Sequence, residues 1–333
     1  MKIDTGIGFD LKAVPERAVA AERAGLDRVI AAETVNDPFL SMAVAAEHTG
    51  RIELGTGVAI AFARNPMSMA YTVNQLQEFS GGRVMIGLGS QVRGHIERRF
   101  SAVWSHPAAR MREFVLAMRS IWSSWNDGAE LDFRGEFYNH TLMTPLFTPR
   151  PHTFGTPRVF LAAVGERMTE VAGEVADGVI THGFSSARYV REVTIPALER
   201  GLKKAGRSRS DFEVTCPGFI AVADREDKLE RIRADMRRQV AFYASTPAYR
   251  PVLEVHGWGD IQPELYECSR RGAWDEMARL VDDEVLDTIT IVTTPDRLAD
   301  EVRSRYGGIA DRIMAAWWQK EWWADVEPVL RAI

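Results

Sequence analysis

Cysteine is nearly missing from this 333-residue chain: Cys216 and Cys268 are the only two, far apart and in no Cys-x-x-Cys spacing. That excludes a disulfide-stapled secreted scaffold and a cysteine-based zinc site, and it leaves reduced, structural thiols in a cytoplasmic protein as the expectation. Histidine is scarce as well, with seven scattered residues. A metal-dependent barrel hydrolase would show His-x-His at the first strand, where this chain has Gly8-Phe9-Asp10, so no metal site is predicted. Positive charge is not in excess, since 46 acids face 41 bases and the net charge is −5. A nucleic-acid footprint rests on clustered Lys and Arg, so no nucleic-acid partner is expected, and Lys203-Lys204 and Arg237-Arg238 read as solvated helix faces. No apolar run approaches the roughly 18 residues of a spanning helix, which argues against a membrane partner. Met1-Lys2-Ile3-Asp4 offers no charged region followed by an apolar core, so no signal peptide is predicted.

What the chain does have is a steady alternation of short apolar runs and amphipathic stretches, with 46% hydrophobic and 26% charged residues. The runs Ile3 to Phe9, Arg28 to Ala32, Ile52 to Ile60, Val84 to Leu88, Val159 to Val164, Gly178 to Thr181, Phe212 to Val222 and Thr288 to Val292 read as eight strands. Helices between them carry clear start signals, such as Asp37-Pro38 and Asn65-Pro66, or clear periodicity, as in Met111, Phe114, Val115, Met118, Ile121 and Trp122. Eight βα units with near-continuous apolar strands predict a parallel sheet closed into a (β/α)8 barrel, an α/β TIM-barrel fold. The competing doubly wound sheet wants Gly-x-Gly-x-x-Gly after its first strand. Gly6-Ile-Gly8 lacks the third glycine, and Gly87-Leu-Gly89-Ser-Gln-Val92 puts valine there. Residues 1 to 333 thus read as one barrel domain, with insertions at about 125 to 158, where Phe133 to Tyr138 suggests a hairpin, and at 246 to 286. Both are expected near the mouth.

A barrel builds its active site from residues just after each strand. Among these, Glu33 and Glu97 are the only carboxylates that a retaining glycosidase could pair, and their spacing fixes no separation. Gly165 lies between the fifth strand and its helix, where the amides of Val164 to Arg167 can face an anion with the helix dipole behind them, or simply form a tight turn. Gly87 and Gly89 allow close approach of a flat ligand, or a tight strand exit.

Leu54-Gly-Thr-Gly-Val58, Arg64-Asn-Pro66, Ser80-Gly-Gly-Arg-Val-Met-Ile-Gly-Leu-Gly-Ser90, Ala162-Ala-Val-Gly165 and Ala176-Asp-Gly-Val-Ile180 together resemble the bacterial luciferase-like monooxygenase superfamily. The closer likeness is to its deazaflavin branch, the coenzyme F420-dependent oxidoreductases. The resemblance implies a barrel whose mouth holds a flavin or deazaflavin, with the tail phosphate at the loop after strand five. It implies a cis peptide at Gly57-Val58 against the back of the ring, with Ala59 and Gly89 beside it. Ser90, Gln91 and His95 would line the ribityl or phosphate side, and the amides of Val164, Gly165, Glu166 and Arg167 would hold the phosphate. Departures matter too. Deazaflavin sugar-phosphate dehydrogenases of this superfamily carry Asp-His where this chain has Glu33-Thr34, and a glutamate where it has Val92. The lysines that grip a phosphorylated sugar have no clear counterpart, and His182 stands in that neighbourhood, so a sugar phosphate is not the expected substrate.

A deazaflavin passes hydride, and the protein orients the substrate and manages a proton. The implied activity is hydride transfer between coenzyme F420 and a small carbonyl, alcohol, imine or activated alkene, with Glu33, His95 and His182 as candidate acids or bases. Glu33 serves as the acid if burial raises its pKa, or else as a carboxylate bonded to barrel backbone. An FMN-dependent monooxygenase and a non-catalytic binder of flavin or deazaflavin are the alternatives. Trp317, Trp318, Trp322 and Trp323 suit core packing or a subunit interface, and a homo-oligomer is expected.

Overall fold

The structure, a computed structural model, describes residues 1–315. The tryptophan-rich segment on which the oligomer expectation rests lies outside the described residues. Eight parallel strands close a barrel: β1 (Lys2–Gly6), β2 (Arg28–Ala31), β3 (Glu53–Thr56), β4 (Val84–Gly89), β5 (Arg158–Ala162), β6 (Gly178–Ile180), β7 (Glu213–Val222) and β9 (Arg312–Ala315). The ring is complete because Arg312 pairs both with Thr215 of β7 and with Lys2 of β1.

One strand differs from the sequence expectation. The β-branched run near residue 290 does form a strand, β8 (Thr290–Thr293), but it stands outside the ring. The ten-residue β7 divides its edge: Thr215 to Gly218 pair with β9, and Phe219 to Val222 pair with β8. The closing strand escaped the hydrophobic pattern because it opens on an arginine, and that arginine is fully buried inside the barrel.

Alternation along the strands stacks the interior in layers. At the floor Asp4, Arg28, Glu53, Arg158, Glu213 and Arg312 form one ionic network, with Arg312 bonded to Asp4, Glu53 and Glu213 and Arg28 to Asp4 and Glu53. The guanidinium carbons of Arg28 and Arg158 lie 5.1 and 5.0 Å from the Phe160 ring centroid. Phe160 belongs to the next layer, an apolar plug with Ile30, Met85 and Ile180. Gly178 makes room for it, since a Cβ there would fall 2.5 Å from the Phe160 ring. Val58 and Met314 pack against this plug.

Outside the barrel, α1 (Val14–Arg23), α2 (Pro38–His48), α3 (Pro66–Phe79) and α4 (Pro107–Asn126) pack their apolar faces on the outward side chains of the strands. Asp37 and Asn65 cap α2 and α3 as their sequences suggest, accepting from the amides of Phe39 and Ser68. After α4 the chain forms the expected hairpin, Phe133–Arg134 against Asn139–His140, anchored by the Glu113 carboxylate accepting amides of Glu136 and Phe137. The second excursion is larger than 246 to 286. Helix α7 (Glu226–Ala244) packs not on the lower barrel but with the segments that follow it, so the excursion begins there and ends at β8. Phe219, Ala221, Met236, Val240, Leu265 and Leu286 share its separate core. Cys216 and Cys268 are buried free thiols. Among the described residues no helix is long and apolar enough to cross a membrane.

Candidate active site

At the end of β3 the Gly57–Val58 peptide bond is cis, as the sequence resemblance implies. The chain then makes a second short pairing, Ala59 and Ile60 with Leu88 and Gly89 of β4. Gly89 is what lets this segment lie so close, since a Cβ there would sit 2.6 Å from Val58 Cγ2. Glu33, just past β2, holds the segment from the other side. Its amide donates to the Val58 carbonyl (3.3 Å), and its Oε2 accepts the Ile60 amide (2.7 Å). Arg64 Nη1 donates to both Glu33 oxygens (2.9 and 2.7 Å), and its Nη2 reaches Asp37 (2.8 Å). Burial works against the Arg64 charge, but the hydrogen bonds to Glu33 and Asp37 outweigh it and raise its pKa. In this setting Glu33 is an anchor of the mouth wall. Every contact of its carboxylate is one in which the carboxylate accepts, so the geometry favours the backbone-bonded reading of Glu33 over the proton donor.

On the next strand exit Gln91 takes a left-handed backbone (φ 59°), and its side chain accepts the Val92 amide while Ser90 Oγ donates to its carbonyl. His95 follows on a short exposed helix, Arg93–Arg98. It is not brought against Glu33 or His182 by any contact the described residues make.

Across the mouth, β5 leads through Val164 and Gly165 into α5 (Glu166–Val175). Gly165 occupies the cap position and offers no side-chain acceptor, so the amides of the first turn are left for another partner. The helix begins beside a cavity of about 660 Å3 lined by His106, Pro107, Gly165, Arg167, Met168 and Tyr189. The Glu166 carboxylate turns away to Arg200 on α6 (Ile195–Lys204), so only its amide serves this turn. The loop is tied from behind: Tyr189 OH donates to the Val164 carbonyl (3.0 Å), while the Tyr189 amide donates to Ser186 Oγ (3.0 Å). Tyr189 precedes a wider, π-type turn, Val190–Thr194, just before Pro196. Proline lacks an amide hydrogen and crowds the preceding turn, and the widening relieves both.

His182 ends β6. Nδ1 accepts the Phe184 amide (3.0 Å), one face stacks on Tyr249 (4.5 Å, 23°), and Tyr243 meets it edge-on (4.8 Å). Burial lowers its pKa to about 4 and raises that of Tyr249 to about 12, so all three rings are neutral at pH 7. His256, on the excursion, shares a 2.7 Å hydrogen bond with Ser186 and stacks on Trp258, clasping the excursion to the loop that carries Tyr189.

The β3 wall, the α5 turn and His182 each follow the end of a barrel strand, β3, β5 and β6, and His95 follows β4 on its own short helix. Neither Arg64 nor Tyr189 has a role in the sequence reading: Arg64 enters it only as the first residue of the Arg64-Asn-Pro66 motif, and Tyr189 lies on an apolar helix face. Among the described residues no group of three or more His, Cys, Asp or Glu is placed to hold a metal.

The family model described as luciferase-like monooxygenase matches residues 2–312. An uncharacterized protein of Mycobacterium tuberculosis is 52% identical over 314 residues, 94% of this chain and 92% of that one. The 5,10-methylenetetrahydromethanopterin reductase of Archaeoglobus fulgidus is 28% identical, over 85% of this chain and 82% of its own. Among solved structures, the coenzyme F420 dependent tetrahydromethanopterin reductase from Methanopyrus kandleri matches with a TM-score of 0.79 at 20% identity, covering 100% of this chain and 96% of that one.

Proposed function

The chain belongs to the luciferase-like monooxygenase family, and on that premise we propose that it is an oxidoreductase of the deazaflavin branch. It uses coenzyme F420 and moves a hydride to or from a small carbonyl, alcohol, imine or activated alkene. The observation that carries this reading is the uncapped start of α5, with Arg167 beside it, opening on the 660 Å3 cavity. Unpartnered amides, the positive end of a helix dipole and a guanidinium are the donor set that a phosphate requires. Val58 laid over Gly89 gives a flat apolar plate for a tricyclic ring.

The residues present fit such a group. Val58, Ala59 and Gly89 would meet the ring, Ser90 and Gln91 its ribityl side, and the amides of Val164 to Arg167 its phosphate. When bound, the deazaflavin supplies a ring carbon that gives or takes hydride. Glu33 and Arg64 keep the ring wall in place, and His182 offers a neutral polar edge on the substrate side. The reductase among the relatives supports hydride chemistry. A second reading, FMN-dependent oxygen activation at the same site, is favoured by the family's own description as monooxygenases.

Titrating the purified protein separately with oxidised F420 and FMN, while following tryptophan fluorescence, distinguishes the two. Micromolar F420 binding, followed by hydride transfer to members of a carbonyl and enone panel, is the expected result. Micromolar binding of FMN with none of F420 overturns the reading, and F420 binding with no turnover across the panel points to a binding protein instead.

A further inference from the structure

We propose that His182 selects the substrate by donating a hydrogen bond from Nε2 to the oxygen of an uncharged, planar carbonyl compound, packed on the aromatic wall of Tyr243 and Tyr249. The inference rests on the hydride-transfer reading above, and it names the substrate class of that site.

The tautomer follows from geometry. A backbone amide can only donate, so the Phe184 amide fixes Nδ1 as the acceptor and places the imidazole proton on Nε2. The position follows from the strand: the Thr181 amide extends the β6 ladder to the Thr215 carbonyl (3.0 Å), His182 comes directly after it, and among the described residues Nε2 has no hydrogen-bond partner. The ring cannot swing, because Tyr249 covers one face and Tyr243 braces its edge, while Tyr243 itself stacks on Phe219 (5.6 Å, 26°). Both tyrosines come from the end of α7 and the turn after it, so the excursion builds this wall.

The charge state decides the class of ligand. Burial keeps His182 neutral, and among the described residues it enters no ion pair. A phosphate or carboxylate placed here would lose its hydration without gaining a counter-charge, which is costly in a desolvated site. A ketone or enone asks only for one donor, and its flat apolar body matches the stacked rings. His182 is not the proton source. Releasing the Nε2 proton while Nδ1 accepts from Phe184 would leave an imidazolate, so it binds and orients the oxygen, and solvent supplies the proton to the product.

The test uses full-length protein labelled with 15N-histidine, with His182 assigned by loss of its signals in His182→Asn. In the presence of oxidised F420, millimolar 2-cyclohexenone or acetophenone is expected to shift the Nε2–H resonance, and glucose 6-phosphate or glyoxylate to leave it in place. With reduced F420, His182→Phe is expected to raise the KM for the enone by about tenfold, the worth of one hydrogen bond. His182→Asn, which keeps a donor, should recover part of that loss, and both variants should bind F420 as the parent does. No shift with either ketone, or a shift with the anions instead, overturns the proposal. So does an unchanged KM in His182→Phe. If the parent binds no F420, the hydride reading fails, and the same spectra recorded without cofactor still decide whether His182 recognises the carbonyl.

Discussion

Glu33 shows how one side chain can satisfy the sequence criteria for an acid and yet be built for another task. Its carboxylate is 8% exposed and receives three donations, one from the Ile60 amide and two from Arg64. Glu33→Gln keeps an acceptor for Ile60 but gives up the ion pair. Arg64 would still hold Asp37 and is partly solvated, so the loss should be about 1–2 kcal/mol, below the ~3–5 kcal/mol seen when a buried charge is stranded. We expect a lower urea midpoint, weaker cofactor binding and a pH–rate profile of unchanged shape. Loss of one limb of that profile, with stability intact, would show Glu33 to be the essential acid after all. The sequence marked the position correctly, because strand-end residues line the mouth. It could not reveal the role, since Arg64 lies thirty-odd positions away and joins Glu33 only once β2 and β3 are paired.

Among the elements, the stretch around α5 depends on a neighbour rather than on its own cap. The Val164 carbonyl is held by the Tyr189 hydroxyl, and Tyr189 is placed by the Ser186 cap and by the π-type turn before Pro196. Tyr189→Phe removes one hydrogen bond and leaves a half-buried carbonyl without it, a change worth roughly 1 kcal/mol. Its cofactor dissociation constant should rise several-fold in the fluorescence titration, with the far-UV circular dichroism unchanged. Affinity equal to the parent's would mean that the loop needs no such tether. Elements whose burial follows from their own pattern were legible, α4 above all, whose apolar positions recur at helical spacing and are buried as expected. Two others were not, for opposite reasons. Thr290–Thr293 looks like a barrel strand but finds only the upper edge of β7, and Arg312–Ala315 closes the ring while opening on a charge. Likewise α7 has the periodicity of a barrel helix, and only its partners reveal that it belongs to the excursion.

At the scale of the whole molecule, closure depends on the ionic floor, since Arg312 alone joins β9 to carboxylates on β1, β3 and β7. Removing charges from water is costly, so the floor is stable only while its opposite charges stay matched. Burial opposes ionisation of Glu213, but Arg312 and Arg158 prevail and lower its pKa to about 2, and Glu53 is lowered by Arg28 and Arg312 in the same contest. A carboxyl whose folded pKa lies below its unfolded value of 4.5 stabilises the fold above pH 4.5 and loses that contribution as pH falls towards 2. Asp4 acts in the other direction: burial outweighs its arginines and raises its pKa, so protonating it relieves a cost. The contributions of Glu213 and Glu53 are lost in acid, and that of Asp4 runs against them. Glu213 alone contributes on the order of 3 kcal/mol, at about 1.4 kcal/mol for each pKa unit. Urea unfolding from pH 6 down to pH 2.5 should therefore show the midpoint holding to about 4.5 and then falling, while Glu213→Gln starts lower and falls less steeply. Parallel curves for parent and variant would place the acid lability elsewhere, in the exposed carboxylates rather than in the charges that close the barrel.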